Sequence, residues 1–312
     1  MKVLLIGGTG TISMAITRLL ATKVDQLYLL NRGRRKEALP DNVQTITADI
    51  ENEEETAKKR FSEYWETEKF KFISHDINLP LKLNLNVDYI VHAASNSHPV
   101  SYATDPIGTI TTNIIGTFHL LNYAVKNNTN RFLFASSVEI YGENRGDTEY
   151  FNEEYCGYIN CNTMRAGYPE SKRAGESLCQ AFRKAKNLDI VIARIARTYG
   201  PTMLFEDTKA ISQFIKNAIE KKNIVLKSEG NQLYSYSYVA DSVSGLLTIL
   251  LSGIDGEAYN IADKKSNCTL IQLAKLIAEF SNVNITFEIP NETEKSGYSQ
   301  ATKALMNNEK LK

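Results

Sequence analysis

Tyr168 and Lys172 are the two residues of this chain whose types and spacing best suit proton chemistry. They lie in Arg165-Ala166-Gly167-Tyr168-Pro169-Glu170-Ser171-Lys172-Arg173, and on a helix a spacing of four puts both side chains on one face, a turn apart. There an ammonium stabilises a phenolate, lowering the tyrosine pKa from about 10 toward the range of a working base. Alone, Y-x-x-x-K also describes many solvated helix faces. It gains meaning from the stretches at residues 3–13 and 132–142.

The first of these runs from the apolar Val3–Ile6 straight into Gly7-Gly8-Thr9-Gly10-Thr11-Ile12-Ser13 and then a helical pattern through Leu20. Strand, glycine turn and helix in that order make a dinucleotide-binding start. Gly7 permits the tight turn, and Gly10 lets the backbone approach a pyrophosphate at the helix N-terminus. Contacts to the cofactor are expected from Gly7, Thr9, Gly10, Thr11 and Ile12. Ser13 stands where a third glycine usually serves helix–strand packing, which weakens the fit without abolishing it.

A second strand, Gln26–Leu30, ends in Asn31-Arg32-Gly33 rather than the acidic residue that commonly binds the adenosine 2′-hydroxyl. Arg32 can pair with a 2′-phosphate, so NAD is expected with NADP kept open. Two runs compete for the third strand. Val43–Ala48 leads to Asp49, and Phe70–Ser74 leads to Asp76-Ile77; the second is favoured because Val87–His92 follows it directly. Either aspartate can meet the adenine side. The Val87–His92 strand ends in Ala93-Ala94-Ser95, small enough for ribose and pyrophosphate to lie against the backbone.

Further along, Thr109–Val125 reads as a long helix containing Asn113, and Phe132–Ala135 as a fifth strand running into Ser136-Ser137-Val138-Glu139. Open α/β sheets place ligands at such strand ends. Ile190–Ala193 reads as a sixth strand, and Tyr234–Val239 alternates like another. Asn291–Ser299 is expected as a polar loop. The fold class is α/β, a Rossmann-type doubly wound parallel sheet with a smaller C-terminal α/β unit. Residues 1–198 with about 234–262 are assigned to the dinucleotide-binding domain, and 199–233 with 263–312 to the substrate domain.

Composition narrows the partners. Lys plus Arg and Asp plus Glu are both 36, so the formal net charge is zero and no electrostatic footprint for nucleic acid or a membrane surface is present. The four cysteines are sparse, and Cys156 and Cys161 lack the partners that would complete a zinc site, so no metal is expected. A reduced cytoplasmic setting suits that usage. The opening apolar run is too short for a signal segment, and no run reaches membrane-spanning length.

Gly7–Ser13, His92–Ser95, Asn113–Thr117, Ser136–Gly142, Tyr168 with Lys172, and Arg194–Pro201 together resemble the extended short-chain dehydrogenase/reductase family, the NAD-dependent epimerases and dehydratases of nucleotide sugars. From Phe70 onward the spacing is most similar to the UDP-glucuronate decarboxylase branch. It is carried by Phe70-x-x-Ile73-x-His75-Asp76, Ser137-x-Glu139-x-Tyr141-Gly142 and Arg165-Ala166-x-Tyr168-x-Glu170-x-Lys172-Arg173.

The resemblance implies that Tyr168 takes a proton from a sugar hydroxyl, that Lys172 holds the cofactor ribose and that Ser137 bonds the reacting oxygen. It implies a structural rather than chemical role for Asn113, and cofactor contacts from Asn113, Ser136 and Ile195. The 4-keto sugar so formed then decides the product. Returning hydride to the other face gives an epimer; elimination gives a dehydratase product; loss of a carboxylate gives a decarboxylase product. Glu139 bears on that fork, since dehydratases and decarboxylases carry a glutamate there, whereas Val138 in place of a preceding aspartate argues against elimination. Substrate contacts are expected from Ser95, Glu139, Arg197 and Tyr234. Tyr234 stands where the decarboxylase pattern has an arginine for the diphosphate, and tyrosine cannot replace that pairing. Arg197, where many relatives have asparagine, is expected to supply an anion contact from another direction.

Epimerisation of a nucleotide sugar is the favoured reading, with a decarboxylase or an NADPH-dependent carbonyl reductase as alternatives. A homodimer is expected through Thr109–Val125 and the Tyr168 helix, with Ile110, Ile114, Phe118 and Leu121 as the apolar candidates.

Overall fold

Val3, Leu4, Leu5 and Ile6 are all fully buried. Val3 and Leu5 join one apolar cluster, Leu4 and Ile6 another. A strand that is apolar on both faces belongs inside a sheet covered on both sides. The computed structural model, which describes residues 1–7, 10–31, 58, 61–97, 99–204, 207–299 and 301–312, has that arrangement.

The described chain begins with β1 (Lys2–Ile6), α1 (Thr11–Leu20), β2 (Gln26–Asn31), β3 (Phe70–Ser74) and β4 (Tyr89–His92). There follow α2 (Pro99–Thr104), α3 (Pro106–Thr111), α4 (Thr117–Lys126), β5 (Arg131–Ser137), α5 (Gly167–Lys186), β6 (Ile190–Ile195) and β7 (Arg197–Tyr199). Next come α6 (Ala210–Ile219), β8 (Ile224–Leu226), β9 (Leu233–Tyr238), α7 (Val239–Ser252) and β10 (Ala258–Ile261). The last elements are β11 (Asp263–Thr269), α8 (Leu270–Ser281), β12 (Ile285–Phe287), α9 (Glu292–Gly297) and β13 (Lys303–Ala304).

Seven parallel strands run in the order β10-β6-β5-β4-β1-β2-β3. Met14, Ile16 and Leu20 of α1 and Val243, Leu246 and Ile249 of α7 cover one face. Leu120 and Leu121 of α4 and Cys179 of α5 cover the other. The strand order reverses at β1, which pairs with β2 on one side and β4 on the other. Ligands of open α/β sheets bind beyond the strand C-termini at such a reversal.

The smaller unit is built around β9, which pairs antiparallel with β11 and parallel with β7 and β13. A parallel pair, β8 and β12, lies beside it, sealed by Phe214 of α6 and Ala274 and Ala278 of α8.

Several expectations need adjustment. The strand β9, assigned by sequence to the cofactor-binding unit, belongs to the small sheet, because all its pairing partners lie there. The expected helix Thr109–Val125 starts earlier, at Pro106, where the Asp105 carboxylate caps it by accepting from the Gly108 amide. It passes through a π turn at Thr112–Gly116 before continuing as α4. Asn291–Ser299 is not merely a loop. Asn291 and Glu294 form a reciprocal capping box that starts α9. Of the two competing third strands, Phe70–Ser74 is β3 at the sheet edge, paired with β2, and Val43–Ala48 lies outside the described residues. Leu121 is fully buried in the core, whereas Ile110 and Phe118 are exposed.

Candidate active site

Tyr168 enters on the first turn of α5, directly after a 3₁₀ turn over Met164–Ala166. Its ring is buried and stacks on Tyr102 of α2, with centroids 4.7 Å apart and planes at 29°. Ser137, at the end of β5, hydrogen-bonds its side chain, and so does Tyr102. The Ser137 oxygen also accepts the Glu139 amide at 3.3 Å, capping the short turn that carries Glu139. Thus β5, α2 and α5 bring the expected Ser137 and Tyr168 together and add a second tyrosine.

Lys172 lies one turn further along α5, 2% exposed, and its Nζ donates to the Ala135 carbonyl at 2.8 Å. Nζ also sits 4.9 Å from the centroid of the Phe134 ring. Burial pulls this ammonium down to about 7. The Tyr168 phenol is pushed up to about 12, first by burial and then by the nearby Glu139 charge. Hydrogen bonds from Ser137 and Tyr102 and the Arg165 charge work in the opposite direction. The expected depression by Lys172 is not seen in this arrangement, because desolvation dominates and the ammonium is turned to a backbone carbonyl. Among the described residues, the positive charge that bears on Tyr168 is that of Arg165.

Arg165 is 8% exposed and forms an ion pair with Glu139 through Nη2. Its Cζ lies 4.5 Å from the centroid of the Tyr102 ring. The Arg165 Nε and Nη1 have no hydrogen-bond partner among the described residues. Sequence reasoning quoted Arg165 only within a motif and missed Tyr102 altogether. Pro99–Thr104 offers no periodic pattern from which a buried aromatic could be inferred.

On the cofactor side, Gly7 has φ +95°, and a Cβ there would stand 2.5 Å from the Ala94 Cα and amide nitrogen. The glycine turn and the small residues after β4 are therefore in direct backbone contact. At Gly10, the N-cap of α1, a Cβ would meet nothing within 4 Å. That open backbone at a helix N-terminus, with no acidic residue in the first turn, fits a pyrophosphate. The Thr11 carbonyl is taken by the Thr202 hydroxyl, tying this helix start to the loop after β7. Ile12 is half-buried, while Thr9, Arg32 and Asp49 lie outside the described residues, as does the Asn31 side chain.

Asp76 accepts from the backbone and side-chain nitrogens of Asn78, shaping the turn after β3. Ile77 beside it is buried in the core, its side chain 2.7 Å from where a Gly116 Cβ would be. Ala94 is buried and Ala93 half-buried, and Ser95 donates to the Asn96 carbonyl. Asn113, in the π turn, donates to Ser171 at 2.9 Å, one residue before Lys172, and so ties that turn to α5. Ser136 donates to Glu176, and Ile195 is buried at the end of β6.

The two remaining expected substrate residues meet each other. The Arg197 guanidinium lies 3.4 Å from the Tyr234 ring centroid, and its buried Nη1 has no partner among the described residues. The Tyr234 hydroxyl donates to the Ala301 carbonyl. The charges of Arg197, Glu139 and Arg165 all bear on Tyr234, so the small sheet and the Tyr168 cluster share one electrostatic neighbourhood. Among the described residues, no group of three or more His, Cys, Asp or Glu could hold a metal ion, and no helix is long and apolar enough to cross a membrane.

A family model described as the NAD dependent epimerase/dehydratase family matches residues 3–262. The chain belongs to this family. It is 35% identical over 225 residues to UDP-glucuronic acid decarboxylase 1 of Xenopus tropicalis, an overlap of 72% of this chain and 52% of that protein. UDP-glucuronic acid decarboxylase 3 of Arabidopsis thaliana is 31% identical over 94% of this chain and 78% of its own length. The chain thus spans about half the length of the frog relative. Its fold is shared by an NAD-bound dTDP-glucose 4,6-dehydratase from Streptomyces venezuelae, with TM-score 0.80, 21% identity, and 100% and 89% of the two chains covered. A UDP-glucuronic acid 4-epimerase from Bacillus cereus, bound to UDP-glucuronic acid and NAD, aligns with TM-score 0.79 at 21% identity, covering 100% and 91%.

Proposed function

We propose that this protein binds NAD and a nucleotide-activated sugar and acts on the sugar through a transient 4-keto species. The observation that carries the reading is the grouping of buried Tyr168 and Lys172 with half-buried Ser137 around the C-terminal end of β5, on the same edge of the parallel sheet as the turn that follows β1. Bound NAD would supply the hydride acceptor for the sugar carbon and the source of the returning hydride. Gly7 and Gly10 would admit it closely, Ala93 to Ser95 would line it, and Lys172 would meet its ribose.

Every other part of the chemistry belongs to side chains. Tyr168 takes the proton from the sugar hydroxyl as the carbon loses hydride, and Ser137 holds the oxygen that becomes a carbonyl. The raised Tyr168 pKa means that the phenol arrives protonated at neutral pH and needs added positive charge nearby to act as a base. Arg197, with an unpartnered Nη1, takes an anionic group of the substrate from the β7 side, where Tyr234 cannot.

Epimerisation is the proposed outcome, because Tyr234 and Val138 remove, respectively, a diphosphate arginine and an elimination acid of relatives. Decarboxylation of a uronate is the second reading, supported by the relatives that match over most of this chain. A homodimer through the exposed Ile107, Ile110 and Phe118 face is part of the proposal, as is a cytoplasmic setting. Mass spectrometry of the protein incubated with NAD and a panel of UDP-, GDP-, CDP- and dTDP-sugars tests it. Isomerisation supports the first outcome, carbon dioxide loss the second, and an inert panel overturns both.

A further inference from the structure

The chemistry above leaves Arg165 without a task. Its side chain is 8% exposed, with Nη2 held by Glu139 and two further nitrogens unpartnered among the described residues. Burying a guanidinium with unmet donors is costly, and that cost is usually retained only where the charge serves something. The Tyr102 ring contacts both Arg165 and Tyr168. The cation lies 4.5 Å from the centroid of that ring, and the Tyr168 ring lies 4.7 Å from it. Lys172, the cation expected to act on Tyr168, is instead turned to the Ala135 carbonyl and the Phe134 ring.

We propose that Arg165 is a positioning residue for the proton transfer. Acting across the Tyr102 ring, its charge stabilises the Tyr168 phenolate, and Glu139 sets how much of that charge reaches it. The inference rests on the proposed role of Tyr168 as the base.

The groups facing Tyr168 come from every element packed on it. Ser137 ends β5, Glu139 lies in the turn after it, Tyr102 comes from α2 and Arg165 from the turn before α5, while Lys172 of α5 itself is turned to the Ala135 carbonyl. Asp207, buried in the loop before α6 and paired with Lys209, bears on Tyr102. In this set Glu139 opposes the phenolate, while Arg165 and the two hydroxyls favour it. Removing Arg165 exposes the phenol to an unneutralised Glu139. Removing the Glu139 charge frees the whole guanidinium. The two changes must therefore act in opposite directions, and a structural role for the pair gives no such sign reversal.

The experiment measures two quantities for wild type, Arg165→Met, Glu139→Gln, Arg165→Lys and the Arg165→Met/Glu139→Gln double variant. One is the pH profile of single-turnover sugar oxidation by the NAD-loaded protein. The other is the phenolate absorbance titration of Tyr168, taken as the difference from the matching Tyr168→Phe protein. Arg165→Met should move the Tyr168 titration up by about one pH unit and Glu139→Gln should move it down by about the same. The double variant should return toward wild type, and Arg165→Lys should lie between wild type and Arg165→Met. Should Arg165→Met fail to fold, the downward shift in Glu139→Gln and the intermediate position of Arg165→Lys still decide the matter. Unmoved titrations, or shifts of one sign in both single variants, overturn the proposal. A protein inert toward every sugar while the titrations shift as stated overturns the functional reading and with it the role in proton transfer, whereas turnover with unmoved titrations overturns this inference alone.

Discussion

Two partly buried arginine–glutamate pairs in this molecule use the same residue types to different ends. Arg194 grips Glu176 with both arms of its fork, Nε to Oε1 at 3.1 Å and Nη2 to Oε2 at 2.7 Å. Its Nη1 donates to the Tyr141 hydroxyl and the Glu153 carbonyl. Ser136 adds a hydrogen bond to the same glutamate. Every nitrogen of that guanidinium has a partner, and the network ties β6 to α5 and to the segment 141–153. Arg165 has one such contact, to Glu139, and two nitrogens without a hydrogen-bond partner among the described residues. A satisfied pair specifies how the backbone packs, whereas the half-satisfied pair leaves donors unused beside Tyr168, the base proposed above.

Predictions that break or sharpen the contrast follow in order of expected size. Tyr168→Phe should cut single-turnover sugar oxidation by about 10²–10⁴-fold while NAD binding, measured by calorimetry, is kept. Loss of NAD binding together with activity would place the tyrosine on the structural side. Arg194→Met should lower unfolding free energy by about 3–5 kcal/mol in urea melts, because it strands Glu176 and two other acceptors, the Tyr141 hydroxyl and the Glu153 carbonyl. Arg165→Met should cost only about 1–2 kcal/mol, its donors being largely idle already. Equal losses in the two variants would erase the distinction. Arg197→Ala should raise KM by about tenfold with kcat little changed, since it removes binding rather than chemistry. An unchanged KM would discard Arg197 as an anion contact.

The last prediction differs in kind, being a pH-dependent one at Lys172. Its ammonium is drawn down to about 7 by burial, against 10.5 for an ordinary lysine. Between those pH values the unfolded chain holds a proton that the folded one lacks, so wild-type stability rises with pH across that window. Lys172→Met should therefore be more stable than wild type below pH 7, by about 1–3 kcal/mol, with the advantage shrinking as pH climbs toward 10. A pH-independent difference would contradict the buried-ammonium account.

Much of the fold was legible because its signals are local. The run Val3–Ile6 followed by glycines, and the four-residue spacing of Tyr168 and Lys172, depend on a few adjacent residues. Ser137 and Glu139 were placed by their position at a strand end. What stayed hidden depends on residues far apart in sequence. The Tyr102–Tyr168 stack joins positions brought together only by α2 and α5 packing at the ends of β4 and β5. The placement of β9 in the small sheet is decided by pairing partners on both sides of it in the chain, which alternation within Tyr234–Tyr238 cannot reveal. The direction of the Lys172 ammonium is likewise set by desolvation and a backbone carbonyl on another element.

The central claim, that Tyr168 starts an oxidation of a nucleotide sugar, is tested most directly by one rapid-mixing measurement. The NAD-loaded protein is mixed with UDP-glucuronic acid and with neutral UDP- and dTDP-hexoses, and the near-ultraviolet absorbance of reduced nicotinamide is followed. The account predicts a rise with at least one sugar, followed by decay as product forms, and loss of the rise in Tyr168→Phe. A flat trace with every sugar, or a rise of equal rate in Tyr168→Phe, would contradict it.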